Sequence, residues 1–272
     1  MYSNRKIWCL VLVCWTWSAS AKTIVSLSPH LTEWVYSLKQ EQNLLAVSSH
    51  SDFPPQAANL PVVADAHGAN IKAIVKLNPD IILAWRGGNK PQDIARLEQL
   101  GFSVFESQPQ LPSDISNELR SLGRILGAQQ QARKLTKQFD QQLSQLTAQY
   151  REVPPVTAFY YLWTAPLMSV GEKAWASRLL SQCNISTLFA DSPVDYPQVS
   201  VQEVIRRQPQ VLVAATSRSL ATEQAFWQSH ADALDVPVLR VNPDIFSRFT
   251  LRLAPALKKL CAKIHATRFY AE

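Results

Sequence analysis

The sequence predicts an α/β protein of two similar lobes, each built on a mainly parallel central sheet. A long rigid interlobe helix joins them, and a ligand cleft lies between. Three observations predict this. Residues 70–84 (NIKAIVKLNPDIILA) align without a gap on residues 200–214 (SVQEVIRRQPQVLVA). Each copy opens on a polar residue, runs through an amphipathic helical turn, meets a proline (Pro79, Pro209) and ends in a β-branched run. A second echo, LGFSVF (100–105) against LDVPVL (234–239), follows at nearly the same separation. Solenoid repeats recur every 20–50 residues or so, so copies this far apart mean two lobes of similar plan. Second, short apolar strands alternate with helices in both halves, the pattern of parallel sheets covered on both faces. Third, the stretch between the halves, 113–150, holds no proline and keeps helical spacing. Clefts between lobes are preferred sites for small ligands.

The chain opens on a segment to be set aside before the fold is read. Arg5 and Lys6 precede an apolar run (7–17), followed by the small-residue stretch SASA (18–21). A basic start, a short apolar core and a small-residue exit are the parts of a secretory signal. The run is too short for a membrane span, which needs about 20 residues. A buried helix at the start of a domain is the alternative. Residues 1–21 are therefore assigned to an export signal, cleaved after Ala21, and the mature protein is expected to be exported. Val13 before Cys14 is not the small residue that lipoprotein processing prefers. Loss of Arg5 and Lys6 lowers the formal net charge from +6 to +4.

In chain order, VSLS (25–28) opens the N-terminal lobe (22–112) as a strand, and PHLTEWVYSL (29–38) is a helix with Pro29 in its first turn. LLAVSS (44–49) and VVAD (62–65) are strands, the second weaker. The first repeat helix leads into the strand IILAW (81–85), and QDIARLEQL (92–100) with Val104-Phe105 closes the lobe. In the interlobe segment (113–152), Gly123 and Gly127 are expected to break the stretch into two helices. The second, from about Ala128 to Tyr150, buries Ala132, Leu135, Phe139, Leu143, Leu146 and Tyr150 on one stripe. The C-terminal lobe (153–272) has strands near TAFYYL (157–162), VLVAA (211–215) and VLRV (238–241). Its last long helix is PALKKLCAKI (255–264), and the residues after Thr267 form a frayed tail.

Of four cysteines, Cys183 and Cys261 remain after export. In an oxidising compartment an isolated pair of this kind favours a disulfide; buried thiols or a metal pair are the alternatives, without a CxxC or a neighbouring histidine to support the metal. Basic residues are spread along the helices with no arginine-rich run, which leaves nucleic-acid binding unsupported. An enzyme is disfavoured on the same reading. There is no GxSxG elbow beside Ser26, Ser28 and His30, no HExxH helix, and too few glycines, seven, for a phosphate-cradling loop. No resident cofactor or metal is expected.

The segments IVSLSPHLTE (24–33), SSHSDFPPQ (48–56), NPDIILAWRGGN (78–89) and YPQVS (196–200), together with the export signal and interlobe helix, resemble the periplasmic binding proteins that feed ABC importers. AWRGGN and SDFPPQ narrow the resemblance to the cobalamin (vitamin B12) binders, over nearly the whole mature chain. The resemblance implies a disulfide between the two cysteines of the second lobe, and partner membrane subunits, two permeases and two ATPases. It also places ligand contacts at His50, Ala66 and the run Asp244, Ile245, Phe246, Ser247, Arg248. The family carries tyrosine where this chain has His50, tryptophan where it has Ala66, and tryptophan at the position of Tyr196.

Cobalamin has a corrin ring fringed by amides, an apolar dimethylbenzimidazole and one phosphodiester charge. A site for it needs aromatic faces and donors, at the carboxyl ends of the strands. His30, His50, His67, Trp85 with Arg86, Trp163 and Tyr196 fall at such ends, and Gly87-Gly88 permits an unusual turn. Trp85 could instead be a core residue, and Arg86 could pair with a local carboxylate. Convergence of His30, His50 and His67 would favour the competing ligands: haem, a siderophore or a metal ion. Family members also carry one exposed glutamate per lobe, at the turn opening the repeated helix, to meet importer arginines. Here those docking positions are Lys72 and Gln202, with Glu203 beside the latter.

Overall fold

The structure, a computed structural model, describes residues 21–267. All but the last residue of the export signal, and the tail after Thr267, lie outside the described residues. The first lobe runs β1 (Ile24–Ser26), α1 (Pro29–Ser37), β2 (Leu44–Ser48), β3 (Val62–Asp65), β4 (Gly68–Ala69), α2 (Ile71–Leu77), β5 (Ile81–Trp85), α3 (Pro91–Gln99) and β6 (Val104–Ser107). Its sheet has the order β4-β3-β2-β1-β5-β6, parallel except for the short β3–β4 pair. Two helices follow, α4 (Pro112–Ile125) and α5 (Gln129–Tyr150). The second lobe holds β7 (Val156–Thr164), β8 (Leu167–Ser169), α6 (Trp175–Leu180), β9 (Ile185–Thr187), α7 (Val201–Arg207), β10 (Val211–Ala214), α8 (Leu220–Gln228) and β11 (Val238–Arg240), before α9 (Pro243–Phe246) and α10 (Leu253–Ala266). Its order is β11-β10-β7-β8, with β9 also on β7. The hairpin partner β8, the strand β9 and the helices α6 and α8 were not foreseen from the sequence.

The sequence repeat is a repeat of atoms. Asn70 caps α2 by accepting from the Ala73 N–H, and Ser200 caps α7 by accepting from Glu203 N–H, both at 3.1 Å. Each seven-residue helix ends on a left-handed residue, Asn78 (φ 46°) or Gln208 (φ 47°), immediately before the proline. The next side chain then reaches the first strand of its lobe. Asp80 accepts from Thr23 N–H at 2.7 Å, and Gln210 Oε1 accepts from Thr157 N–H at 2.8 Å. Cap, stop and strand tie thus place β5 beside β1 and β10 beside β7.

At 22 residues, α5 is about 33 Å long. Its buried stripe is Ala132, Thr136, Phe139, Leu143, Leu146 and Tyr150, with Leu135 only half-buried. The expectation that Gly123 breaks the preceding helix is corrected. It lies buried inside α4, where an added Cβ would come within 2.5 Å of Ala132 Cβ. The glycine sets how closely α4 approaches α5, and Gly127 (φ 71°) makes the break alone. One continuous apolar core includes Ile24, Trp34 and Leu83 of the first lobe, Phe139 and Leu146 of α5, and Tyr160, Val213 and Leu257 beyond it. Cys183 and Cys261 are joined by a disulfide, tying the turn after α6 to α10.

The segment after α9 crosses to the first lobe and locks there. The Phe249 ring makes edge contacts with His30 (5.2 Å between centroids) and Trp85 (5.6 Å) of the first lobe and with Trp175 (4.6 Å) of the second. Two indoles hold its backbone. Trp34 Nε1 donates to the Phe249 carbonyl at 2.8 Å, and Trp175 Nε1 to the Phe246 carbonyl at 3.0 Å. Glu33, 4% exposed, accepts both arms of the Arg252 guanidinium and lies 3.4 Å from Arg248. Arg248 donates to Asp52 at 2.6 Å and Asp244 at 3.2 Å. Arg252 also lies over the Phe53 ring at 3.9 Å. A buried carboxylate is tolerated when it is paired and fully hydrogen-bonded, and here both partners come from the other lobe.

His30 is buried in this lock. Ser107 Oγ donates to Glu118 at 2.6 Å and so accepts from His30 Nε2–H at 3.1 Å; Ser28 Oγ–H then donates to Nδ1 at 2.8 Å. Burial, aided by the nearby Arg248 charge, lowers the His30 pKa from 6.5 to about 3. The folded imidazole stays neutral where an unfolded one protonates, so between pH 6.5 and about 3 the unfolded chain binds more protons. Stability therefore falls as pH drops through that window, by up to about 1.4 kcal/mol per pH unit from this group. Denaturant unfolding of wild type and His30→Gln at pH 6, 5 and 4 checks this. The variant is expected to show the shallower slope, and equal slopes would show that His30 carries no such linkage.

Candidate functional site

Between the lobes, beyond the carboxyl ends of β5, β7, β10 and β11, lies a cavity of about 590 Å³. That is the size range of a small-molecule site. Its walls follow from strand geometry. Tyr160, Leu162 and Thr164 line it with the period of two of β7, and Trp85 is the last residue of β5. Ala215 to Arg218 continue from β10, and Pro243, Phe246, Ser247 and Phe249 come from the segment after β11. Among the described residues, seven lining side chains are aromatic, from Trp85 on one wall to Trp163 and Tyr196 on the other. Trp163 (62% exposed) and Tyr196 (51%) stand free at the mouth, while Phe246 and Phe249 are buried in the wall.

The AWRGGN loop is explained by the placing of Trp85. Asn89 Oδ1 accepts from Trp85 N–H at 2.7 Å, and Asn89 Nδ2 donates to the Leu27 carbonyl at 2.8 Å, which staples the loop to the end of β1. The indole folds back on the glycines, and a Cβ on Gly88 would lie 2.1 Å from its ring. Close approach, not phosphate binding, is the use of this pair. Arg86 forks onto Glu106, both contacts 2.9 Å, and is a local ion pair.

Of the residues proposed from sequence, the cavity brings together Trp85, Trp163, Tyr196, Phe246 and Ser247. It does not include the others. Ile245 packs against the core, while Asp244 and Arg248 belong to the interlobe ion cluster. His50 is exposed on the turn after β2 with φ 61°, and Ala66 and His67 are exposed after β3. These three sit at strand ends, as expected for His50 and His67 from the sequence, but outside the enclosed volume. His30 is spent on two serines, and among the described residues no group of three or more His, Cys, Asp or Glu is arranged to hold a metal ion. Tyr160, Trp175, Phe249 and Arg218 were missed by sequence reading. Alternation along β7 was a signal for Tyr160; nothing local marked the other three.

At the proposed docking positions, Lys72 and Gln202 are exposed second residues of α2 and α7. Glu203 is held by Arg206 (2.8 and 2.6 Å) and Arg207 (2.6 Å), and those hydrogen bonds lower its pKa to about 2.

The chain was compared with known proteins. The family model described as "Periplasmic binding protein" matches residues 24–234. A vitamin B12-binding protein of Vibrio cholerae is 36% identical over 244 residues, covering 89% of this chain and 88% of its own length. One from Pectobacterium carotovorum is 34% identical over 259 residues, covering 94% and 93%. The crystal structure of the periplasmic vitamin B12 binding protein BtuF of Vibrio cholerae superposes with a TM-score of 0.84 at 34% identity, covering 91% of this chain and 98% of that one. A periplasmic haem-binding protein from Pseudomonas aeruginosa has the same fold, with a TM-score of 0.78 at 21% identity and coverages of 90% and 93%. With the family model spanning most of its length, this chain belongs to the periplasmic binding protein family.

Proposed function

We propose that this protein captures cobalamin in the periplasm and delivers it to the membrane subunits of an ABC importer, itself doing no chemistry. The observation that carries the reading is the cavity. It offers aromatic faces from both lobes, hydroxyl groups of Thr164, Ser217 and Ser247 and, among the described residues, a single charged side chain. That suits a large, mostly neutral ligand with flat rings and an amide fringe. The relatives at 34–36% identity are named for vitamin B12, whereas the haem binders share the fold at about 20%. No helix among the described residues is long and apolar enough to cross a membrane, and the expected partners are two permease and two ATPase subunits.

Calorimetry is expected to show 1:1 binding of cobalamin with a Kd below about 1 μM. Trp85→Ala is expected to weaken it by about 1–3 kcal/mol through lost ring burial. No heat with cobalamin, alongside a strong Soret shift with haem, would overturn the reading in favour of haem.

Docking is proposed to run through Lys72 and Gln202 in place of two glutamates. Glu203 is a poor substitute, because its carboxylate is already neutralised by two arginines of its own helix. Lys72 also opposes the positive end of α2, an arrangement explained if the partner's surface differs in charge. With an importer that presents arginines, the complex is expected to form slowly, and Lys72→Glu with Gln202→Glu to speed association chiefly at low salt. An unchanged association rate at low salt would refute this electrostatic account.

A further inference from the structure

Among the described residues, the one charged side chain on the cavity wall is Arg218, and its setting is built. Behind it lies Glu223, fully buried in the first turn of α8. Glu223 Oε2 accepts from Tyr161 O–H at 2.9 Å and Oε1 from Thr216 O–H at 2.7 Å, while Trp227 Nε1 donates to Tyr161 Oη at 3.2 Å. Arg218 Nε lies 3.4 Å from Glu223 Oε1, and its Nη1 donates to Thr164 Oγ1. Thr164 and Thr216 are themselves wall residues. A buried carboxylate is expensive unless paired, and this one fixes one side of the guanidinium. Nη2 has no protein partner among the described residues, and the side chain is 38% exposed. A planar fork with one arm pinned and the other free is matched to an anionic oxygen of a ligand.

Resting on the proposed binding of cobalamin, we propose that Arg218, oriented by Glu223, Tyr161 and Thr164, is the residue that recognises the ligand's phosphodiester. The amide fringe and the benzimidazole of cobalamin are neutral, so a lone cation in an otherwise neutral aromatic wall selects for the linkage between corrin and nucleotide. It thereby discriminates complete corrinoids from those lacking the nucleotide. A haem propionate would present the same anionic oxygen chemistry, and the test separates the two.

Affinities of wild type, Arg218→Gln and Arg218→Lys for cyanocobalamin, dicyanocobinamide (a corrin without the nucleotide) and haem would be measured by tryptophan quenching, with circular dichroism to confirm folding. Arg218→Gln is expected to weaken cyanocobalamin by about tenfold or more, the scale of one lost charge-assisted contact, and to leave dicyanocobinamide within about twofold. Arg218→Lys, which keeps the charge but not the fork, is expected to fall between wild type and Arg218→Gln for cyanocobalamin, and this decides the matter if wild type does not hold dicyanocobinamide. Equal loss for both corrinoids, loss for neither, or Lys as weak as Gln would overturn the assignment. Weakening of haem alone would overturn it in favour of a carboxylate. If wild type binds neither corrinoid, the cobalamin reading itself falls, an outcome distinct from a failure at Arg218.

Discussion

The arrangement of the two lobes rests on one buried ring. Phe249 belongs to the segment that follows the second sheet, yet it sits against His30 and Trp85 of the first. Trp34 holds its carbonyl, and Glu33 holds the arginine three residues on. Aromatic faces give the burial, and the hydrogen bonds and charges fix the register. Because Phe246, Ser247 and Phe249 also line the cavity, the contact that joins the lobes is the contact that shapes the site. Truncating a buried phenylalanine typically costs about 3–5 kcal/mol; here the loss would fall on lobe orientation as well as on stability.

The charges of this lock depend on one another. Glu33 is buried and has Arg252 and Arg248 as partners, and Arg248 in turn serves Asp52 and Asp244. Hydrogen bonding from Arg248 holds the Asp52 carboxyl below its ordinary range. The same Arg248 disfavours a proton on His30, which its burial already resists. His30 is thus a neutral structural ring whose two nitrogens are satisfied by serines, and the metal-ligand role that three first-lobe histidines suggested has no geometric basis at this position.

The repeat was legible because it is local. A polar opening, an amphipathic turn, a proline and a β-branched run leave their marks within fifteen residues, and with the alternation of strands and helices they placed two parallel sheets and a cleft. The resemblance pointed to Tyr196, Phe246 and Ser247, and the strand-end argument to Trp85 and Trp163, all of which line the cavity. The lock was not legible, since its partners, Glu33 with Arg248 and Trp34 with Phe249, stand 215 residues apart. Arg218 went unseen for a related reason. Only the fold shows that Glu223 is buried behind it rather than solvated on a helix face. Gly123 was misread because close helix approach and helix breaking use the same residue, and only the neighbour, Ala132, tells them apart.

The central claim is that a lock carried by the chain itself preforms the cavity. A helix without proline between the lobes resists bending, and Phe249 with its ion cluster adds a second connection between them. Solution scattering of the mature protein with and without cobalamin tests this most directly. The account predicts the same radius of gyration, within error, in both states. A clear drop on adding cobalamin, of the kind produced by hinged closure of two free lobes, would contradict it.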